Sequence, residues 1–118
     1  EKQVYEKSID ITGLTFINLR DCLIGLGKIL EENFDNNYYV VNIQAGVGNK
    51  NAAVVLILWS KEKLSMFAYA KEGFINQHTA DKAIEKVIEK ITQYTSKHII
   101  RYSGYLITQT KNIKQYQA

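Results

Sequence analysis

A two-layer α+β sandwich, with a mainly antiparallel sheet and two helices on one face, is the fold this sequence predicts. Three observations predict it. Residues 52–59, Ala-Ala-Val-Val-Leu-Ile-Leu-Trp, are unbroken apolar sequence, suited to a central strand covered on both faces. Two amphipathic stretches of helical spacing, 18–34 and 79–94, flank the strands around that run. The strands between them follow one another through short loops, which favours antiparallel pairing. The chain has 118 residues, 46% of them hydrophobic, which is one domain's worth with a core to bury. No apolar run approaches the ~18 residues of a membrane-spanning helix. The expected organisation is a single domain over 1–108 followed by a polar, flexible tail, 109–118.

The first strand is expected where Tyr5, Lys7, Ile9 and Ile11 alternate with Glu6, Ser8 and Asp10, up to Gly13. Asn18 then offers an N-cap with Asp21 three residues on, and Ile17 and Cys22 stand at hydrophobic-staple positions. The helix that follows sets Leu19, Leu23, Leu26, Leu30 and Phe34 on one face. Gly25 and Gly27 lie within it, each costing about 1 kcal/mol relative to Ala, which points to close backbone packing there or to a bend in the helix, the packing being favoured. Asp35-Asn36-Asn37 is a turn cluster, Tyr38–Ala45 the second strand, and Gly46–Asn51 a hairpin loop.

Ala52–Ser60 and Leu64–Lys71 are the third and fourth strands, joined by Lys61-Glu62-Lys63. Read as a three-residue loop, this connection divides the side chains between two faces. Val54, Leu56, Leu58, Leu64, Met66, Ala68 and Ala70 would meet the helices, and Val55, Ile57, Trp59, Phe67 and Tyr69 would look outward. Thr79 can cap the second helix, whose stripe is Ala83, Ile84, Val87, Ile88, Ile91 and Tyr94. Residues 98–108 read as a further strand or as a continuation of the helix, with the strand favoured by Thr95-Ser96.

Little in the sequence carries chemistry. Cys22 lies beside the helix's apolar stripe and reads as a packed core thiol rather than a nucleophile. As the single cysteine it rules out an internal disulfide. The two histidines, His78 and His98, have no metal-ligand spacing, and no metal or cofactor is expected. Glu31, Glu32 and Asp35 read as a solvated cluster rather than a cation site. No catalytic motif stands out.

The net charge of +3 is unevenly placed: Lys97, Arg101, Lys111 and Lys114 make residues 95–118 +4, and +3 less +4 leaves −1 for residues 1–94. With Lys61, Lys63 and Lys71, those four are the candidate anion or RNA contacts. The chain opens on Glu1 rather than Met, which leaves a removed signal or anchor open, and the cytoplasm is slightly favoured.

The order of elements, β-α-β-β-β-α, resembles that of the ribosome-associated hibernation-promoting factors. Ser8-Ile-Asp-Ile-Thr-Gly13 is similar to their opening strand. Leu19-Arg20-Asp21 with Lys28-Ile-Leu-Glu-Glu-Asn-Phe-Asp35 looks like the body of their first helix, and Ala83-Ile-Glu-Lys-Val-Ile-Glu-Lys-Ile91 like their second. The likeness spans 8–94 and implies this fold and a place on the ribosome. The chain departs from the family in a short link between Gly13 and Leu19 and in Gly25-Leu-Gly27, where the family tends to be charged. The charges of its first helix, Arg20, Asp21, Lys28, Glu31, Glu32 and Asp35, total −2, whereas a factor lodged among RNA phosphates presents a basic surface.

The expectation is therefore a non-enzymatic interaction module. It self-associates or binds a protein partner through an apolar sheet face carrying Val55, Ile57, Trp59, Phe67 and Tyr69. An RNA- or ribosome-associated factor is the alternative, and a small-molecule pocket between helices and sheet a third.

Overall fold

The computed structural model describes residues 2–71 and 78–96. Five strands form one antiparallel sheet: β1 (Lys2–Asp10), β2 (Gly27–Asn33), β3 (Tyr38–Ala45), β4 (Asn51–Trp59) and β5 (Lys63–Lys71). Helix α1 is Phe16–Ile24, and helix α2 runs from residue 79 through 96. Spatially the strands lie in the order β1-β5-β4-β3-β2, so α1 carries the chain from one edge of the sheet to the other. Both helices bury their apolar stripes in one core with the same side of the sheet. The α+β class, the antiparallel sheet and the helical layer are those the sequence predicts. Residues 98–108 and 109–118 lie outside the described residues.

The order of elements gains one strand. Residues 27–33, expected in the second half of a helix over 18–34, form β2. In the resemblance to hibernation-promoting factors, Lys28–Asn33 stood in the first helix; here it is an edge strand. Helix α1 is correspondingly short, and its N-cap is Thr15 rather than Asn18. The Thr15 hydroxyl accepts the Asn18 amide at 3.0 Å. Leu14 and Leu19, the residues flanking that cap at staple positions, are both buried, whereas Ile17 is exposed. Leu23 stays in the core, but Leu30 and Phe34 are exposed, Leu30 at a bulge where the β2–β3 register shifts between Ile29 and Glu31.

Gly27 explains why the chain extends at this point. A Cβ on Gly27 would stand 2.1 Å from the Asn42 carbonyl oxygen, so only glycine lets β2 approach β3 there.

The second correction concerns the β4–β5 hairpin. Its strands close one residue tighter than a three-residue loop over 61–63 allows. The Ser60 amide donates to the Lys63 carbonyl at 2.9 Å, and Trp59 stands opposite Leu64. That shift exchanges the faces of β4 relative to β5. Val55, Ile57 and Trp59 now share a face with Leu64, Met66, Ala68 and Ala70, under the helices. Val55 and Ile57 are wholly buried and are not part of an outward face. Phe67 and Tyr69 do face outward, joined by Val54, Leu56 and Leu58.

In α2, the stripe Ala83, Ile84, Val87 and Ile91 is buried as expected. The helix is entered at His78, whose carbonyl accepts the Lys82 amide at 2.9 Å. Thr79 is therefore inside the helix, not its cap. It is wholly buried, with its hydroxyl accepting from Asn51 Nδ2 at 3.4 Å. Lys86 Nζ donates to the Gln44 carbonyl at 2.9 Å and to Asn49 Oδ1 at 2.6 Å, tying the helix to the β3–β4 connection.

The candidate interaction face and its surroundings

Each strand divides its side chains between the helical layer and the open face. On β3 the division is plain in burial: Tyr39, Val41, Ile43 and Ala45 are buried, while Tyr38, Val40, Asn42 and Gln44 alternate with them. Pairing carries this parity across the sheet. Asn42 stands opposite Val54, Val54 opposite Tyr69, and Tyr69 opposite Val4. One row further along, Val40 stands opposite Leu56, Leu56 opposite Phe67, and Phe67 opposite Glu6. Tyr38, opposite Leu58, completes a third row.

The centre of the open face is thus apolar across four strands. Val4 is 71% exposed, Val54 40%, Leu58 38%, Phe67 37% and Tyr69 42%. Side chains of this size in adjacent rows make a contiguous patch rather than the scattered apolar residues normal on a protein surface.

Around that patch the same face carries Glu6, Asp10 and Glu31, and Lys28, Lys63 and Lys71. Among the described side chains these are three carboxylates and three lysines, so the rim carries both signs of charge. Tyr38 donates its hydroxyl to Glu31 Oε1 at 2.8 Å and accepts from Asn33 Nδ2 at 3.3 Å, fixing the β2 side of the rim. On the β1 side Ser8 Oγ meets Ser65 Oγ at 3.3 Å.

The expected RNA contacts that fall among the described residues are divided between the two ends of β5. Lys63 and Lys71 lie at opposite ends of β5, roughly 27 Å apart at ~3.4 Å of rise per residue, and Lys61 is at the hairpin tip. Lys97, Arg101, Lys111 and Lys114 lie outside the described residues.

Trp59 belongs to the other side of the sheet. Its indole Nε1 donates to the Leu14 carbonyl at 2.8 Å, so it anchors the loop that enters α1. Phe16 stacks on Tyr39 at 4.3 Å between centroids and meets Phe34 and Trp59 edge-on at 5.4 and 6.1 Å. The Tyr39 hydroxyl donates to the Phe16 carbonyl at 2.7 Å. Burial, reinforced by the negative charge of Glu32, pushes the Tyr39 phenol well above its ordinary value.

A sign follows for stability at high pH. Folding favours the neutral phenol, so this contribution is complete below the ordinary tyrosine pKa of 10.0 and is lost as pH climbs above it. Tyrosinate absorbance should therefore show Tyr39 resisting ionisation until the chain unfolds, and urea midpoints should fall from about pH 10 upward. In the Tyr39→Phe variant the fall should be shallower; an equal slope would exclude Tyr39 as its source.

Cys22 is 1% exposed, and burial, followed by the charge of Asp21, raises its thiol pKa. Both features suit a packed thiol rather than a nucleophile. Glu32 pairs with Arg20 at 3.3 Å, and His78 Nδ1 lies 3.2 Å from Asp81 Oδ2. Among the described residues, no three His, Cys, Asp or Glu side chains gather to hold a metal ion. Among the same residues, no helix is long and apolar enough to cross a membrane.

A concavity of about 760 Å³ opens between the β1–α1 segment and the end of α2. Ile9, Ile11, Leu14, Ile91 and Tyr94 give it apolar walls, and Asp10, Thr12 and Thr92 polar edges. The sequence led to a pocket between helices and sheet as a third reading but not to these residues, because the walls come from segments some eighty residues apart.

Comparison with protein-family models, with curated proteins and with solved structures found no match.

Proposed function

We propose that the chain is a non-enzymatic interaction module that binds protein through the open face of its sheet. The observation that carries this reading is the contiguous apolar centre, Val54, Leu56, Leu58, Phe67 and Tyr69, within a rim that carries both signs of charge. An apolar core with aromatic anchors inside a polar border is the anatomy of a protein-binding surface. A surface for nucleic acid would carry an excess of lysine and arginine instead. Photo-crosslinking tests the reading. A benzoylphenylalanine in place of Phe67 should yield a protein adduct in cells that make the chain, and one in place of Glu89, exposed on α2, should not. Adducts to RNA, or none at position 67, would contradict it.

The concavity beside α2 favours a second reading, the binding of a small apolar molecule. Its volume lies in the usual range for ligand sites, roughly 300–1,000 Å³. Trp59, the single tryptophan, is bonded to Leu14 in the wall of that concavity. A ligand seated there should shift the indole emission; unchanged emission across a series of fatty acids and aromatic probes would count against this reading.

A further inference from the structure

We infer that the protein on the open face is a second copy of this chain, the two sheets packing face to face about a two-fold axis. This rests on the proposed function and commits it to one occupant. Three properties of the face carry it.

The first is shape. β1, β5, β4 and β3 pair without a register shift, and the bulge is confined to β2. Such a regular pleated surface suits another sheet, whose side chains interdigitate with its own across a core about 10 Å thick.

The second is area. Five strands about 4.8 Å apart and roughly 26 Å long give a footprint on the order of 600 Å². The accessible surface over such a corrugated footprint is of the order a stable dimer needs, about 800 Å² from each partner.

The third is charge. A two-fold axis sets a patch against itself, so a face of one sign would repel its copy. Here, among the described side chains, Glu6, Asp10 and Glu31 share the face with Lys28, Lys63 and Lys71, so neither sign has it to itself. The apolar centre is met by its own equivalent, and the rim offers each copy both signs.

Sedimentation equilibrium of the full chain, read beside the crosslinking at position 67, tests this. The expected result is twice the chain mass for the unaltered protein and for its adduct. Phe67→Glu should raise the dissociation constant at least ~30-fold, the effect of losing an anchor residue. Tyr69→Lys, at a more exposed position, repeats the test if Phe67→Glu does not fold; circular dichroism reports folding in both.

A chain that stays monomeric at its highest soluble concentration, while position 67 crosslinks to a protein of another mass, would overturn the second copy. It would leave the interaction reading intact. A dimer unaffected by either folded variant, with no adduct at position 67, would overturn both.

Discussion

Ile57→Asp should abolish the folded state, whereas Leu56→Asp, one residue away, should leave it standing. The two side chains occupy opposite faces of β4. Ile57 is wholly buried in the core that α1 and α2 share with the sheet. A carboxylate there, among the apolar side chains of the core, loses its hydration, a cost of several kcal/mol against a total stability of about 5–15 kcal/mol. Leu56 lies on the open face and is only half-buried, so Asp at that position keeps its water. A change of about 1 kcal/mol is expected for the isolated chain. Circular dichroism and urea denaturation distinguish the two. The register expected from a three-residue hairpin loop predicts the reverse order, with Leu56→Asp the lethal change.

Gly27→Ala carries the second large effect, and its sign is diagnostic. In a helix over 18–34 this substitution would stabilise by about 1 kcal/mol, because Gly is the poorer helix former. In β2 the new methyl group would fall 2.1 Å from the Asn42 carbonyl oxygen, a backbone atom that cannot swing aside. Separating the strands to admit it should cost about 3 kcal/mol. Gly25→Ala is the control: Gly25 has φ −76°, and its added Cβ would make ordinary contact, 3.5 Å, with the flexible Lys90 side chain. Its effect should stay within about 0.5 kcal/mol. A rise in the urea midpoint for Gly27→Ala would contradict the close approach of β2 to β3.

These two positions also mark where the sequence stopped being legible. Leu23, Leu26, Leu30 and Phe34 recur at helical spacing, so the stretch imitates an amphipathic helix. β2 hides its own alternation because the bulge at Leu30 puts an extra residue between Ile29 and Glu31. The two glycines were the available warning. Close packing was the right inference for Gly27, where it occurs between strands rather than helices, but not for Gly25. A fifth strand then lengthens the sheet and leaves α1 only as long as Phe16–Ile24.

The face assignment failed for a different reason. β4 is apolar at every position from Ala52 to Trp59, so alternation within it carries no information about which side is covered. Only loop length remained to set the register, and one residue of error exchanged Val55 and Ile57 for Val54 and Leu56. A better signal lay on β3. Asn42 and Gln44 mark the even-numbered side as open, and pairing through the β3–β4 connection puts Val54 on the side of Asn42. By contrast, α2 was legible because its stripe and its charged outer face are separated along the whole helix. The outward placing of Phe67 and Tyr69 held, and their apolar companions changed.

The division of the sheet into a covered and an open face is the central claim, and hydroxyl-radical footprinting of the dilute chain tests it most directly. Met66, intrinsically the more reactive side chain but wholly buried, should be spared, while its neighbours Phe67 and Tyr69 are oxidised. Oxidation of Met66 in the folded chain, with Phe67 and Tyr69 protected, would contradict the assignment of the open face.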